Sequence, residues 1–285
     1  MQERLDPLIA ERAPWLFGET PWRRTARAGL NRVLGYDRTV ELAETLRDLP
    51  GDAIMARMAQ LLAKELQVSG LQNIPRQGPA MIVANHPTGI ADGIMMDALL
   101  RPIRPDLYFY ANVDILRVLP QMDSMIAPVE WRMDKRTHSK TRATMAYTRK
   151  AVADGRLGVI FPSGRLAKRK GLRLHERPWM TSAAMLARKY DLPVIPVNIR
   201  ARNSALFYFF DVVHPTLRDI TLFHETLNKD RQPFRLTVGE PISPKALPAR
   251  SDAATEILKR ATLGLGGEDG TTVSLVRASR RPSWV

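Results

Sequence analysis

The stretch Ala80-Met81-Ile82-Val83-Ala84-Asn85-His86-Pro87-Thr88-Gly89-Ile90-Ala91-Asp92-Gly93 constrains the chain more than any other. Five apolar or small residues run into a polar pair and then into a turn rich in Pro and Gly. That is the pattern of a buried strand delivering Asn85 and His86 to the edge of a sheet. An apolar run from Ile90 to Leu100 follows, long enough for a helix, with Asp92 near its start. The loop between them is short enough to fold this carboxylate back onto the imidazole of His86. A carboxylate at one ring nitrogen fixes the tautomer and stabilises imidazolium, while the other nitrogen takes a proton from an attacking hydroxyl.

The surrounding pattern places this element in a layered α/β fold. Residues 1–50 read as helical: Thr20 is a capping residue, Pro21 suits a first helical position, and Trp22, Ala26, Leu30, Val33 and Leu34 recur at helical spacing. A second amphipathic helix spans residues 51–67. From there strands and helices alternate: strands near 81–84, 107–111, 157–161 and 192–199, a further short apolar stretch at 125–129, and helices near 90–100, 139–153 and 181–189. Strands separated by helices of this length predict a largely parallel central sheet flanked by helices. An aromatic knot, Leu206-Phe207-Tyr208-Phe209-Phe210, a strand near 234–238 and a helix from Ser251 to about Leu263 complete the domain. The expected division is an N-terminal helical element (1–50), one domain (51–263) and a disordered tail rich in Gly, Ser, Arg and Pro (264–285).

Charge narrows the function. The net charge is +14, and residues 101–177 carry seventeen Lys and Arg against seven acids, whereas residues 1–50 hold eight of each. So concentrated a basic segment, just after His86, implies an acidic partner: anionic lipid, a phosphorylated substrate, an acidic carrier protein or nucleic acid. A single-stranded nucleic-acid binder interleaves aromatics with its cations, and the basic stretch offers few, so nucleic acid is not expected. With no cysteine in the chain, disulfides, thiolate metal sites and a cysteine nucleophile are excluded. No run approaches the length of a membrane span, and no signal peptide is expected. In the N-terminal element, Arg23, Arg24, Arg27 and Arg32 with Trp15, Phe17 and Trp22 form a pattern suited to an anionic membrane surface.

Three further constellations follow in order. Ala127-Pro128-Val129-Glu130-Trp131-Arg132-Met133-Asp134-Lys135-Arg136 is extended and ends in cations. Val159-Ile160-Phe161-Pro162-Ser163-Gly164-Arg165 is a strand that breaks into backbone N–H groups, a hydroxyl and a guanidinium, a seat for a phosphate. Val194-Ile195-Pro196-Val197 is a core strand. No Gly-x-Ser-x-Gly elbow surrounds Ser163, and no Walker loop, dinucleotide glycine pattern or zinc spacing is present.

Taken together over residues 65–200, these blocks resemble the glycerophospholipid acyltransferase superfamily: an Asn-His-x4-Asp box, an extended block ending in Arg, a Phe-Pro-Glu-Gly-Thr-Arg block and an Ile/Val-Pro-Val strand. The resemblance implies that His86 and Asp92 are the catalytic pair. It assigns acceptor binding to Arg132 or Arg136 and to Ser163, Gly164 and Arg165. The activity implied is transfer of a fatty acyl group from acyl-CoA or acyl-carrier protein to a hydroxyl of a lysophospholipid or glycerol-phosphate-type acceptor. It needs no cofactor, and it takes place at the cytoplasmic face of a membrane. Two departures bear on the acceptor: five residues, not four, separate His86 from Asp92, and Ser163 replaces the family's glutamate. A rival pair, His214 and Asp219, has the commoner spacing but lacks the preceding Asn and the loop Gly, and follows the last block instead of opening the order. The reading from another class is a non-enzymatic basic protein that binds membranes or nucleic acid through the same charge.

Overall fold

The computed structural model describes residues 1–130, 137–267 and 271–279, apart from the side chains of Pro215, Phe223, Thr226 and Ser279. Helices come first: α1 (Gln2–Arg12), α2 (Pro21–Leu34), α3 (Tyr36–Thr45) and α4 (Gly51–Leu62), followed by β1 (Leu66–Ser69). The alternating part runs β2 (Ala80–Ala84), α5 (Ile90–Leu100), β3 (Tyr108–Asn112), α6 (Asp114–Val118), β4 (Ile126–Val129), α7 (His138–Ala153) and β5 (Leu157–Ile160). A hairpin of β6 (Lys168–Lys170) and β7 (Arg173–His175) precedes α8 (Ser182–Lys189) and β8 (Val194–Arg200). The chain closes with α9 (Ala205–Val213), α10 (Pro215–Thr226), β9 (Phe234–Val238), α11 (Ser251–Gly264), β10 (Thr272–Ser274) and α12 (Leu275–Ser279).

The seven-stranded sheet has the order β1-β9-β8-β2-β5-β3-β4. Every neighbouring pair is parallel except β8 with β9. The fold is therefore the α/β architecture with a largely parallel sheet that the alternation predicts. β2 and β5 lie at its centre and are buried along their whole length, which is why they read as unbroken apolar runs and not as alternating ones.

Three expectations need correction. The N-terminal helices are not an appendage: Leu5, Leu8 and Leu46 are buried in the same apolar cluster as Ile54, Met55 and Ile94, so the core runs across residue 50. Burying each leucine contributes about 1.5–3 kcal/mol. The apolar stripe of α2 also splits: Leu34 is buried, but Trp22 and Val33 stand exposed. Finally, the stretch after Gly264 is not disordered throughout. β10 pairs antiparallel with β7, placing Val273 opposite Leu174, and both are buried against Phe207. An unpaired strand edge and one apolar contact give a polar segment its structure.

Candidate active site

β2 and β5 are parallel neighbours, in register at Val83 and Ile160, so the residues that follow each strand arrive at the same place. His86 follows β2, Phe161 follows β5, and their rings stack with centroids 4.3 Å apart and planes 24° from parallel. Asn85 belongs to the scaffold. Its amide donates to the Ile199 carbonyl at 2.9 Å, and its carbonyl accepts the Ile199 N–H at 2.7 Å. Both bonds tie the end of β2 to β8 and set the direction in which His86 leaves the sheet.

Asp92 is fully buried in the first turn of α5. Its Oδ2 accepts the Thr88 N–H at 2.9 Å and the Gly89 N–H at 3.0 Å, and its Oδ1 accepts the Thr88 hydroxyl at 2.5 Å. Gly89 takes a φ of +92°, a conformation open to glycine and costly for other residues. This sharp turn accommodates the five-residue spacing and lets the carboxylate cap the amides before its own helix. His86 Nδ1 lies 2.9 Å from the same Oδ2, close but off the line of a straight hydrogen bond. Acid–base contacts of this kind commonly straighten when substrate docks.

The loop after β5 is lashed to the same point. The Gly164 N–H donates to the Phe161 carbonyl at 2.9 Å, the Ser163 hydroxyl donates to the Arg165 carbonyl at 2.8 Å, and the Ala167 N–H donates to the His86 carbonyl at 3.0 Å. Gly164 has a φ of +58°, and an added Cβ would stand 3.0 Å from the Met180 methyl. Ser163 is thus engaged in holding a turn.

The acyltransferase family model matches residues 65–200, the segment that holds all of these groups. Residues 65–200 are an acyltransferase domain. These are the residues over which the chain's four blocks resemble the glycerophospholipid acyltransferase superfamily. The chain is 24% identical over 219 residues to a lyso-glycine lipid O-acyltransferase of Phocaeicola vulgatus, covering 75% of this chain and 77% of the relative. A lyso-glycine lipid O-acyltransferase of Bacteroides thetaiotaomicron is 20% identical over 244 residues, covering 84% and 87%. Among solved structures, the 1-acyl-sn-glycerophosphate acyltransferase PlsC of Thermotoga maritima matches with a TM-score of 0.47 and 14% identity, over 93% of this chain and 97% of that one.

Sequence reasoning missed two residues of the candidate site. Thr88, buried, supplies two of the donors on Asp92. Glu176, just past β7, accepts the His86 N–H on Oε2 at 3.3 Å and the Trp179 indole N–H on Oε1 at 3.0 Å. Burial pushes the Glu176 carboxyl above its ordinary range, against the opposing pull of these donors. A signal was present, since Glu176 is the lone acid between Asp154 and Asp191. A carboxylate retained in so basic a run has a local partner to serve.

His86, Phe161, Pro162, Gly164 and Arg165 line one cleft of about 1900 Å³. Its apolar lining includes Leu8, Leu46, Met55, Met58, Ile94 and Leu119, residues of the main apolar cluster. Its polar lining includes the cations Arg165, Lys168, Arg169 and Arg177. Of the predicted site residues, His86, Asp92, Ser163, Gly164 and Arg165 are brought together. Arg132 and Arg136 lie outside the described residues. The rival pair does not assemble. His214 caps α10, its Nδ1 accepting the Thr216 N–H at 3.2 Å, and Asp219 is paired with Arg218 at 2.7 Å. Among the described residues no group of three or more His, Asp or Glu is placed to hold a metal ion, and no helix is long and apolar enough to cross a membrane.

Proposed function

We propose that the chain is a lipid O-acyltransferase that moves a fatty acyl group from an acyl thioester, of CoA or acyl-carrier protein, to the hydroxyl of an acidic lysolipid. One observation carries this reading: His86, backed by the buried Asp92 at 2.9 Å, lines a cleft whose walls combine apolar core residues such as Leu8, Met58 and Ile94 with the cations Arg165, Lys168, Arg169 and Arg177. The acyl chain lies along Leu8, Met58 and Ile94. The thioester carbonyl then sits at the His86 end, and the acceptor head group faces Arg165.

In the reaction the acceptor hydroxyl gives its proton to the His86 nitrogen that does not face Asp92, as its oxygen attacks the thioester carbonyl. The tetrahedral intermediate collapses, the C–S bond breaks, and imidazolium returns the proton to the departing thiolate. Asp92 holds the ring in the required tautomer and stabilises the imidazolium, and its own donors, Thr88 and Gly89, hold it in place. Positioned general-base catalysis of this kind contributes about 10²- to 10⁴-fold. Arg165 offers a planar fork suited to phosphate or carboxylate alike. Arg132 and Arg136 are the cations from the second block that would assist it. The N-terminal layer contributes Leu5 and Leu8 to the cleft wall and presents Trp22, Arg24 and Arg32 outward, which favours work at an anionic membrane surface.

The deciding assay incubates the purified chain with labelled acyl-CoA or acyl-carrier protein and a panel of acceptors that includes lysophosphatidic acid and a lyso-glycine lipid. Label should move to an acidic lysolipid. Release of free fatty acid with no labelled ester on any acceptor would contradict the proposal.

A further inference from the structure

Helix α9 is apolar all round but for Asp211, a composition that normally marks a fully buried helix. Two of its faces are accounted for. Phe207 and Tyr208 are buried against Leu174 and Val273, and they line the cleft. Leu206 and Phe210 pack against the N-terminal helices in a cluster with Leu16, Leu34 and Ile220. The third face is not covered by the protein: Ala205, Phe209, Val212 and Val213 recur at i, i+4, i+7 and i+8 and point to solvent, with Phe209 61%, Val212 68% and Val213 54% exposed. Phe209 leans on Phe210 at a centroid distance of 5.7 Å, so the exposed stripe continues into the cluster that carries α2, where Trp22 is 59% exposed and Arg24 and Arg32 also face outward.

We propose that this outer stripe of α9 inserts into the acyl-headgroup boundary of a lipid bilayer and seats the mouth of the cleft on the membrane. The inference rests on the acyltransferase reading for the identity of the cargo, and on the geometry of α9 for the surface. Three observations select a bilayer as the occupant. The same helix that carries the stripe walls the cleft with its Phe207, Tyr208 and Asp211, so a lysolipid leaving the membrane beside Phe209 meets the site without crossing open water. The chain carries a net charge of +14, and α2, which shares an apolar cluster with Leu206 and Phe210 through Leu30 and Leu34, presents Arg24 and Arg32 to solvent; these cations complement anionic headgroups and give the pairing of apolar wedge and cations that interfacial elements use. A second copy of this chain is a poorer occupant, because three large side chains fall far short of the roughly 800 Å² per partner that a stable interface buries.

The test uses the full chain and its Phe209→Ser/Val212→Ser/Val213→Ser variant in co-sedimentation with phosphatidylcholine vesicles, with and without phosphatidylglycerol. Partition of the variant should drop on the order of tenfold or more on both compositions, since binding strength scales with buried apolar area. Transfer to an acceptor embedded in vesicles should fall in step, while transfer to a monodisperse short-chain acceptor keeps the wild-type rate. Hydrogen exchange on the unmutated chain gives a second readout that depends on no variant's folding: amides of residues 205–213 should gain protection when vesicles are added. Unchanged sedimentation of a folded variant, or no protection over 205–213, overturns the proposal. So does a stripe-dependent dimer that leaves vesicle binding untouched. His86→Ala should sediment as the wild-type chain does, and an unmutated chain that binds vesicles through the stripe but transfers no acyl group would count against the enzymatic reading alone.

Discussion

The chain contains two stretches in which a His-Pro-Thr is followed by an aspartate, and they do opposite things. At His86 the histidine comes off the buried end of β2, Asn85 pins the strand end to β8, and Gly89 bends the chain so that Asp92 returns to the imidazole. At His214 the histidine comes off the end of α9 and starts another helix. Its ring caps the Thr216 amide, and Asp219, one turn into α10, pairs with Arg218. Residue spacing alone would favour the second. What separates them is the element that precedes each histidine: a strand end at the sheet's carboxyl edge aims a side chain into a crevice, whereas a helix start consumes it as a cap.

Exchanging the histidines gives the largest expected effect. His86→Ala should lower kcat for acyl transfer by about 10²- to 10⁴-fold, while His214→Ala should stay within about twofold and lose only a cap worth on the order of 1 kcal/mol in thermal stability. A dead His214 variant beside an active His86 variant would reverse the comparison. The aspartates should separate more gently. Asp92→Asn loses the charge behind the imidazole and should cost on the order of 10²-fold in kcat. Asp219→Asn removes a half-exposed ion pair, worth at most about 1 kcal/mol, and should leave steady-state transfer near the wild-type rate.

Arg165 extends the contrast to the acceptor. Truncating it to alanine should raise KM for an acidic acceptor about tenfold, the scale of one charge-assisted hydrogen bond, and leave KM for the acyl donor nearly unchanged. Equal shifts in both would place the guanidinium on the donor. Glu176 tests whether the His86 backbone is held by a buried carboxylate, which His214 lacks. Burial raises that carboxyl above 4.5, so the folded chain keeps its proton to higher pH than the unfolded chain does. Its contribution to stability is full below about pH 4.5 and is lost as pH climbs through the raised value. Glu176→Gln does not titrate, so its melting temperature should fall less steeply across that window than the wild type's. Identical slopes would put the carboxylate in water.

Most of the sheet was legible because its central strands are buried on both faces and therefore read as plain apolar runs, Ala80–Ala84 and Leu157–Ile160 among them. The dyad was legible for the same reason, since a polar pair at the end of such a run has nowhere to go but the sheet's edge. The β6–β7 hairpin was not. Lys168, Arg169 and Lys170 carry no strand pattern, and the hairpin takes shape through Leu174, which packs on Val273 and Phe207, residues far away in sequence. The aromatic knot at 206–210 was visible, but its form was not: Ser204 caps it as a helix by accepting the Phe207 N–H at 3.1 Å, and the Leu-Phe-Tyr-Phe-Phe run suggests strand as readily. The place of the N-terminal helices was also hidden, because Leu5 and Leu8 read as one face of any amphipathic helix and their partners Met55 and Met58 lie beyond two further helices.

The central claim is a single displacement in which His86 activates the acceptor and the enzyme itself is never acylated. Intact-mass measurement of the chain, rapidly quenched after mixing with acyl thioester in the absence of acceptor, tests it most directly. The account predicts a protein of unchanged 32.1 kDa mass. A chain heavier by one acyl group, mapped to Ser163 or His86, would contradict it.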